Sequence, residues 1–212
     1  MAYPISVVMP AYNEEGRISG VLEKVVETGF EQVTVVDDGS DDSTFDEADS
    51  FSGVEVLRNE RNMGKAEAIR RGVEASEEEH LMFLDADLTG LDEKHLEKMA
   101  ERYLEKKELM IIGVFSHGRT LTDLAMTFSP MLSGQRILPR KVWKKAEEKD
   151  MKGFGVEVAV NRACKELGVD IKKVELPGVS HTMKEEKRGP LKGSVAKSQM
   201  YLQILLSYLK DL

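Results

Sequence analysis

The sequence predicts an α/β protein built on a mainly parallel sheet with helices on both faces. Two observations carry this. Short apolar, β-rich runs alternate with segments of helical period along the first 115 residues. The ends of several runs also place polar and glycine-containing stretches where ligands meet a parallel sheet, at the carboxyl ends of its strands.

Each element can be read in order. "ISVVMP" is a strand ended by Pro10, and "EEGRISGVLEKVVETG" has helical spacing with a stop at Gly29. "QVTVVDDGS" is a strand entering a turn, and "DDSTFDEADSF" a helix with an acidic first turn. "VEVLRN" is a short strand, "GKAEAIRRGVEAS" a helix, and "HLMFLDAD" a buried strand. "DEKHLEKMAERYLEKK" is an amphipathic helix and "LMIIGVF" a strand. Beyond residue 115 the rhythm loosens. Two helices are expected near 139–149 and 156–167, a strand at "DIKKVEL", a polar basic loop, and a final helix in "SVAKSQMYLQILLSYLKDL". No linker divides the 212 residues, so one compact domain with two lobes is expected.

Charge narrows the function classes. A net charge of −8 argues against a nucleic-acid binder, which needs a basic face. The one cysteine, Cys164, rules out an intrachain disulfide and fits a reducing compartment, so a cytoplasmic location is expected. The start, "MAYPISVVMP", does not read as a signal peptide, and no run of about 20 apolar residues is present to span a membrane.

The chemistry is concentrated in "FLDADLTGL", residues 83–91, where an apolar run delivers Asp85 and Asp87 two positions apart. On a strand, alternate residues point the same way, so both carboxylates would face one spot. Their repulsion calls for a cation or a proton, and hard oxygen ligands suit Mg²⁺ or Mn²⁺. Taken alone, the pair is equally a turn cap and a solvated acid. The neighbouring stretches tip the balance. "PAYNEEGR", "DDGSDDST" and "NMGKAEAIRRG" bring polar groups to the same edge. Gly64 and Lys65 at a helix start favour an anion such as a diphosphate.

In order and spacing, "VVMPAYNEE", "VTVVDDGSDDST", "NMGKAEAIRRG" and "FLDADL" resemble the nucleotide-binding half of GT-A-fold glycosyltransferases, family 2 in particular. The resemblance implies a GT-A (nucleotide-diphospho-sugar transferase) fold over 1–212, a mostly parallel sheet flanked by helices. Residues 1–115 would be the nucleotide-sugar-binding half, and 116–212 an acceptor half with a C-terminal helix. It implies a nucleotide-diphosphate sugar donor, UDP or GDP linked, and a DXD motif holding Mg²⁺ or Mn²⁺. On that resemblance Ala11, Tyr12 and Glu14 line the base and ribose pocket. Asp38 bonds the base, and Lys65 lies near the base or diphosphate. Asp85 and Ala86 meet the ribose or a metal-bound water, and Asp87 binds the metal.

Further on, "GRTLTD", "LSGQR" with Arg140 after it, "GFGVE" and "SH" with basic residues after it are similar to the glucosyl-3-phosphoglycerate synthases. That resemblance implies an acceptor loop of Gly118, Arg119, Thr120 or Thr122, and a third metal ligand in His181. Gly134 and Gln135 would line the sugar pocket. Each has a plainer reading: Arg119 paired with Asp123 on one helix face, His181 as a loop histidine, Glu157 suiting a helix N-terminus, and Trp143 as helix packing. An inverting transfer needs a base, Glu157 first and Asp123 second, whereas retention needs none.

Other motifs fail. "DADLT" fits a phosphatase nucleophile loop, but it follows the fourth strand and no Gly-Asp pair comes after it. A phosphate-binding P-loop would need Gly at Asn59 and Ser or Thr at Ala66. Two other functions stay open: a non-catalytic nucleotide-sugar-binding protein, and a transferase acting on polyprenyl phosphate at a membrane surface. The face of "MYLQILLSYL" would then lie on lipid, the alternative being burial in the core or in a homodimer.

Overall fold

The structure is a computed structural model, and it describes residues 2–115, 133–148, 151 and 155–181. The chain divides into two compact units, Met1–Ser180 and His181–Leu212. The first contains β1 (Tyr3–Ala11), α1 (Ile18–Thr28), β2 (Phe30–Asp37), α2 (Thr44–Asp49), β3 (Val54–Arg58) and α3 (Lys65–Ala75). Then come β4 (His80–Phe83), β5 (Leu88–Thr89), α4 (Glu93–Leu104), β6 (Leu109–Phe115) and β7 (Arg136–Pro139). After these follow α5 (Arg140–Ala146), α6 (Gly155–Leu167), β8 (Asp170–Leu176) and the two-residue β9 (Ser180–His181).

Seven strands form one sheet in the order β3-β2-β1-β4-β7-β6-β8. Pairing is parallel from β3 to β4 and between β6 and β8. Among the described strands of this sheet only β7 is reversed, antiparallel to both β4 and β6. The carboxyl ends of β1, β2 and β4 therefore share an edge with the beginning of β7. The strand at 136–139 has no counterpart among the sequence expectations. Four residues that open on an arginine and close on a proline give no readable period.

Alternation along the strands separates two cores. Ile5, Val7 and Met9 of β1 face one side, packed by Ile18, Val21, Leu22 and Val25 of α1 and Leu96, Met99 and Tyr103 of α4. Val8 of β1 and Leu81 and Phe83 of β4 face the other, packed by Ile69 and Val73 of α3 and by α5 and α6. Trp143 is fully buried there and meets Phe83 edge-on at 5.3 Å, so it serves packing.

Three features aim the site. A Cβ on Gly72 would lie 2.4 Å from Val8 Cγ1, so α3 seats directly on the sheet with its first residue, Lys65, at the carboxyl edge. At its other end, Arg140 donates to the carbonyls of Val73, Ser76 and Glu78, supplying donors where the helix itself runs out of them. Gly29 ends α1 in the left-handed conformation (φ 77°), as its position after the periodic segment anticipates.

The strand expected over 80–87 is shorter than its pattern. The ladder stops at Phe83, and Asp85 and Asp87 lie in the connection to β5. Burial still alternates, because Leu84, Ala86 and Leu88 all enter the first core. That anchoring leaves Asp85 to meet Lys65 and Gln135.

At the start of β4, Tyr103 Oη lies 3.0 Å from His80 Nδ1. Burial, helped by the charge of Lys107, pushes the imidazole below its ordinary value of 6.5, against the opposing pull of Glu78, Glu79 and Glu108. The unfolded chain then binds the proton first, so stability contributed here is full at neutral pH and declines as pH falls below that value. Urea midpoints at about pH 7.5 and about pH 5.5 should differ less in His80→Gln than in the wild type; an equal difference would mean that His80 does not link stability to pH.

Candidate functional site

The site is built from loops that follow β1, β2 and β4 and the segment that precedes β7. After Ala11 the chain turns through Asn13, whose left-handed φ of 55° is uncommon for a residue other than glycine. Three contacts hold it. Its N–H donates to Ser40 Oγ (2.9 Å), its Oδ1 accepts from the Asp41 N–H (3.0 Å), and its carbonyl accepts from Arg17 (2.5 Å). Arg17 also donates to the Glu14 carboxylate at 2.5 Å, and the Glu14 N–H donates to Thr44 Oγ1. Tyr12 stands out from this frame, 41 % exposed.

Asp38 is buried and works inward. One oxygen accepts from Asn59 Nδ2 (2.7 Å) and the Met63 N–H (2.9 Å), the other from the Gly64 N–H (2.7 Å). Its carboxylate thereby fixes the loop that leads into α3. Gly39 (φ 74°) permits the fit, since a Cβ there would lie 2.6 Å from the Arg61 backbone.

Lys65 is the centre of the arrangement. Its Nζ lies 2.8 Å from Asp85 Oδ1 and 2.9 Å from Glu157 Oε1. Burial opposes the charge, but Asp85 and then Glu157 outweigh it and raise the ammonium above the ordinary lysine range. Glu157 enters from the first turn of α6 and is itself buried. Asp85 is fixed from the other side by Gln135 Nε2, 2.8 Å from Oδ2. The carboxylate can only accept, which turns the amide with Nε2 toward Asp85, and Ser133 Oγ lies within hydrogen-bond distance of both Gln135 Oε1 (2.7 Å) and the Gly113 carbonyl (2.5 Å). Gly134 lies against the same carboxylate, and a Cβ there would come within 2.3 Å of Asp85 Oδ2.

Asp87 is half-buried, two residues beyond. Among the described residues no group of three or more His, Cys, Asp or Glu side chains gathers into a metal cage. Both Asp85 oxygens already accept from Lys65 and Gln135. This donor set fits Mg²⁺ or Mn²⁺ held through few protein carboxylates, with waters and substrate phosphate oxygens completing the shell. It suits a direct bond from Asp87 and a supporting part for Asp85.

Asp38, Lys65, Asp85, Gly134, Gln135 and Glu157 are thus joined in contacts at one edge, and Ala11 closes the strand beside them, its carbonyl accepting from the Asp38 N–H at 2.8 Å. Gly118, Arg119, Thr120, Thr122 and Asp123 lie outside the described residues, as does the expected C-terminal helix. His181 ends β9, is exposed, and belongs to the second unit. Arg17, Asn59, Ser133, Arg136 and Asn161 are given no role by sequence pattern, although Ser133 and Arg136 stand in the quoted "LSGQR".

The Glycosyl transferase family 2 profile matches residues 6–165. The chain belongs to that family. Curated relatives of this family 2 chain include the glycosyltransferase AglD of Haloferax volcanii, 34 % identical over 46 % of the chain and 17 % of the relative. A dolichyl-phosphate beta-glucosyltransferase of Trichomonas vaginalis is 30 % identical over 56 % of the chain and 40 % of the relative. The chain therefore spans well under half the length of either relative. Among solved structures, glucosyl-3-phosphoglycerate synthase of Mycobacterium tuberculosis in complex with phosphoglyceric acid has a TM-score of 0.75. It is 26 % identical, with 96 % of this chain and 79 % of that one covered. A structure of the same synthase with Mn²⁺ and UDP-glucose matches equally, covering 78 % of that chain. The fold is GT-A, as the order of motifs anticipates.

Gly134→Ala should test the packing of the site. The added methyl must push Asp85 away, at a cost of roughly 1–3 kcal/mol, read as a lowered thermal midpoint. A midpoint at the wild-type value would mean that the close approach does not hold Asp85.

Proposed function

We propose that the chain is a metal-dependent glycosyltransferase that moves a sugar from a nucleotide-diphosphate sugar, UDP or GDP linked, to an acceptor bearing phosphate or carboxylate. The observation that carries this reading is the Lys65 ammonium held between Asp85 and Glu157 at the carboxyl edge of the sheet, with Asp87 two residues beyond Asp85 in the same connection. A charged lysine at a helix start, next to a carboxylate able to take a divalent ion, suits a diphosphate leaving group. The synthase that shares the fold binds Mn²⁺ and UDP-glucose in its own structure, which supports the same donor class here.

The roles follow from position. Ala11, Tyr12 and Glu14 flank the base and ribose, with Asp38 shaping that pocket through the 59–64 loop. Lys65 neutralises charge that develops on the departing diphosphate. Gln135 and Gly134 hold Asp85 in the orientation that serves the ribose and the metal's water shell. A bound Mg²⁺ or Mn²⁺ supplies further neutralisation of that charge, with Asp87 as its direct protein ligand. Glu157 Oε1 is engaged by Lys65, which favours a part in placing the lysine over proton abstraction.

Residues 116–212 would supply the acceptor side, with Gly118, Arg119, Thr120 and Thr122 as its binding loop. Phosphoglycerate and dolichyl phosphate, the molecules named with the structural and curated relatives, both carry a phosphate. A small phosphorylated acid and a polyprenyl phosphate are thus the two acceptors to compare. Among the described residues no helix is long and apolar enough to cross a membrane.

A thermal-shift titration should show UDP raising the midpoint in the presence of Mn²⁺, by about 2.7 kcal/mol of stabilisation at 100-fold excess over Kd. Asp87→Ala should remove the Mn²⁺-dependent part. Lys65→Met should weaken UDP about tenfold and leave uridine nearly unchanged, since uridine lacks the diphosphate. Equal binding of UDP to wild type and Asp87→Ala, with the same metal response, would contradict the assignment.

A further inference from the structure

Arg136 is almost completely buried, 1 % exposed, and lies at the centre of the sheet: it pairs with Phe83 of β4 on one side and Ile112 of β6 on the other. A guanidinium in such a position is costly unless its donors are engaged. Its Nε donates to the Ser133 carbonyl at 2.7 Å. Its Nη1 donates to Asn161 Oδ1 at 2.7 Å and lies 3.5 Å from the Glu157 carbonyl.

These partners belong to two separate supports. Ser133 opens the segment whose Gln135 and Gly134 hold Asp85. Glu157 and Asn161 sit one turn apart on α6, which carries the other carboxylate. The Arg136 side chain joins the two supports, and Lys65 bridges the carboxylates they present. A planar guanidinium with donors on different edges spans both in a fixed geometry, whereas a lysine ammonium carries all its donors on one atom and fixes no such spacing.

We propose that Arg136 is a positioning residue of the transferase site: it ties the Ser133–Gln135 segment to α6 and so sets the separation at which Asp85 and Glu157 grip Lys65. It touches neither donor nor acceptor. The inference rests on the transferase reading only for its consequence in catalysis; the grip itself is a property of the chain without ligand.

Amine acetylation of the ligand-free chain, followed by peptide mass spectrometry, reads the grip directly. Lys65 should react slowly in the wild type compared with exposed Lys94. In Arg136→Met the Lys65 rate should rise about tenfold, equivalent to 1.4 kcal/mol, with the Lys94 rate and the near-ultraviolet circular dichroism of buried Trp143 unchanged. Arg136→Lys should fall between the two. If Arg136→Met does not fold, Asn161→Ala removes one partner more gently and should raise Lys65 labelling several-fold. An unchanged Lys65 rate in a folded variant overturns the proposal, and so does a rise shared equally by Lys94. Protection of wild-type Lys65 by UDP with Mn²⁺ is a separate arm. Its failure would count against the transferase reading, while the change in labelling between wild type and Arg136→Met would still decide the role of Arg136.

Discussion

The ammonium of Lys65 between Asp85 and Glu157 is the constraint on which the rest of the site depends. Two carboxylates placed this close in a partly dehydrated pocket repel each other. The lysine resolves that conflict, and the carboxylates in return hold it charged. An isolated surface pair of this kind contributes little. Here Glu157 is buried and Asp85 is only 18 % exposed, so the pairing is less screened than a surface contact. What results is an ammonium fixed at the head of a helix between two carboxylates, in place before any ligand arrives. Preorganised charge of this sort is worth most where charge develops during a reaction.

The architecture brings three distant segments to that point. α3 reaches the edge because Gly72 lets it sit against Val8. Asp85 reaches it because Leu84, Ala86 and Leu88 are pulled into the core on the other side. Glu157 reaches it because the reversed β7 turns the chain back through the middle of the sheet, allowing α6 to pack beside α3. Asp38 completes the frame by taking up three hydrogen bonds from the 59–64 loop that leads into α3.

Local pattern made much of this readable. The alternation of apolar runs and amphipathic segments marks every helix and strand through residue 115 except the two-residue β5. "DDGS", "NMGK" and "DAD" mark the edge where the site lies. The early end of β4 is not legible, because alternating burial continues past the last ladder bond. β7 is not legible because its four residues open on an arginine and close on a proline, with no longer apolar run around them. The partnership of Lys65 with Glu157 spans 92 positions, and the link from Arg136 to Asn161 exists only after β7 has inserted between β4 and β6. Contacts of this range leave no periodic trace, and a buried arginine reads in sequence as a surface charge. Asp38 shows the complementary difficulty: its residue type fits a base contact and a loop anchor equally well, and its three hydrogen bonds to the 59–64 loop become visible only in the fold.

A double-mutant cycle on stability tests the central claim most directly. Lys65→Met alone should destabilise the ligand-free chain by on the order of 1–3 kcal/mol, less than the loss of a fully buried partner because Lys65 keeps 33 % of its side-chain surface exposed. Adding Glu157→Gln to that variant should recover part of the loss, since the stranded negative charge is then gone. A coupling of about 1 kcal/mol or more between the two substitutions is the predicted result. Strict additivity, with Glu157→Gln costing the same whether or not Lys65 is present, would contradict the claim that the lysine and its carboxylates hold one another in place.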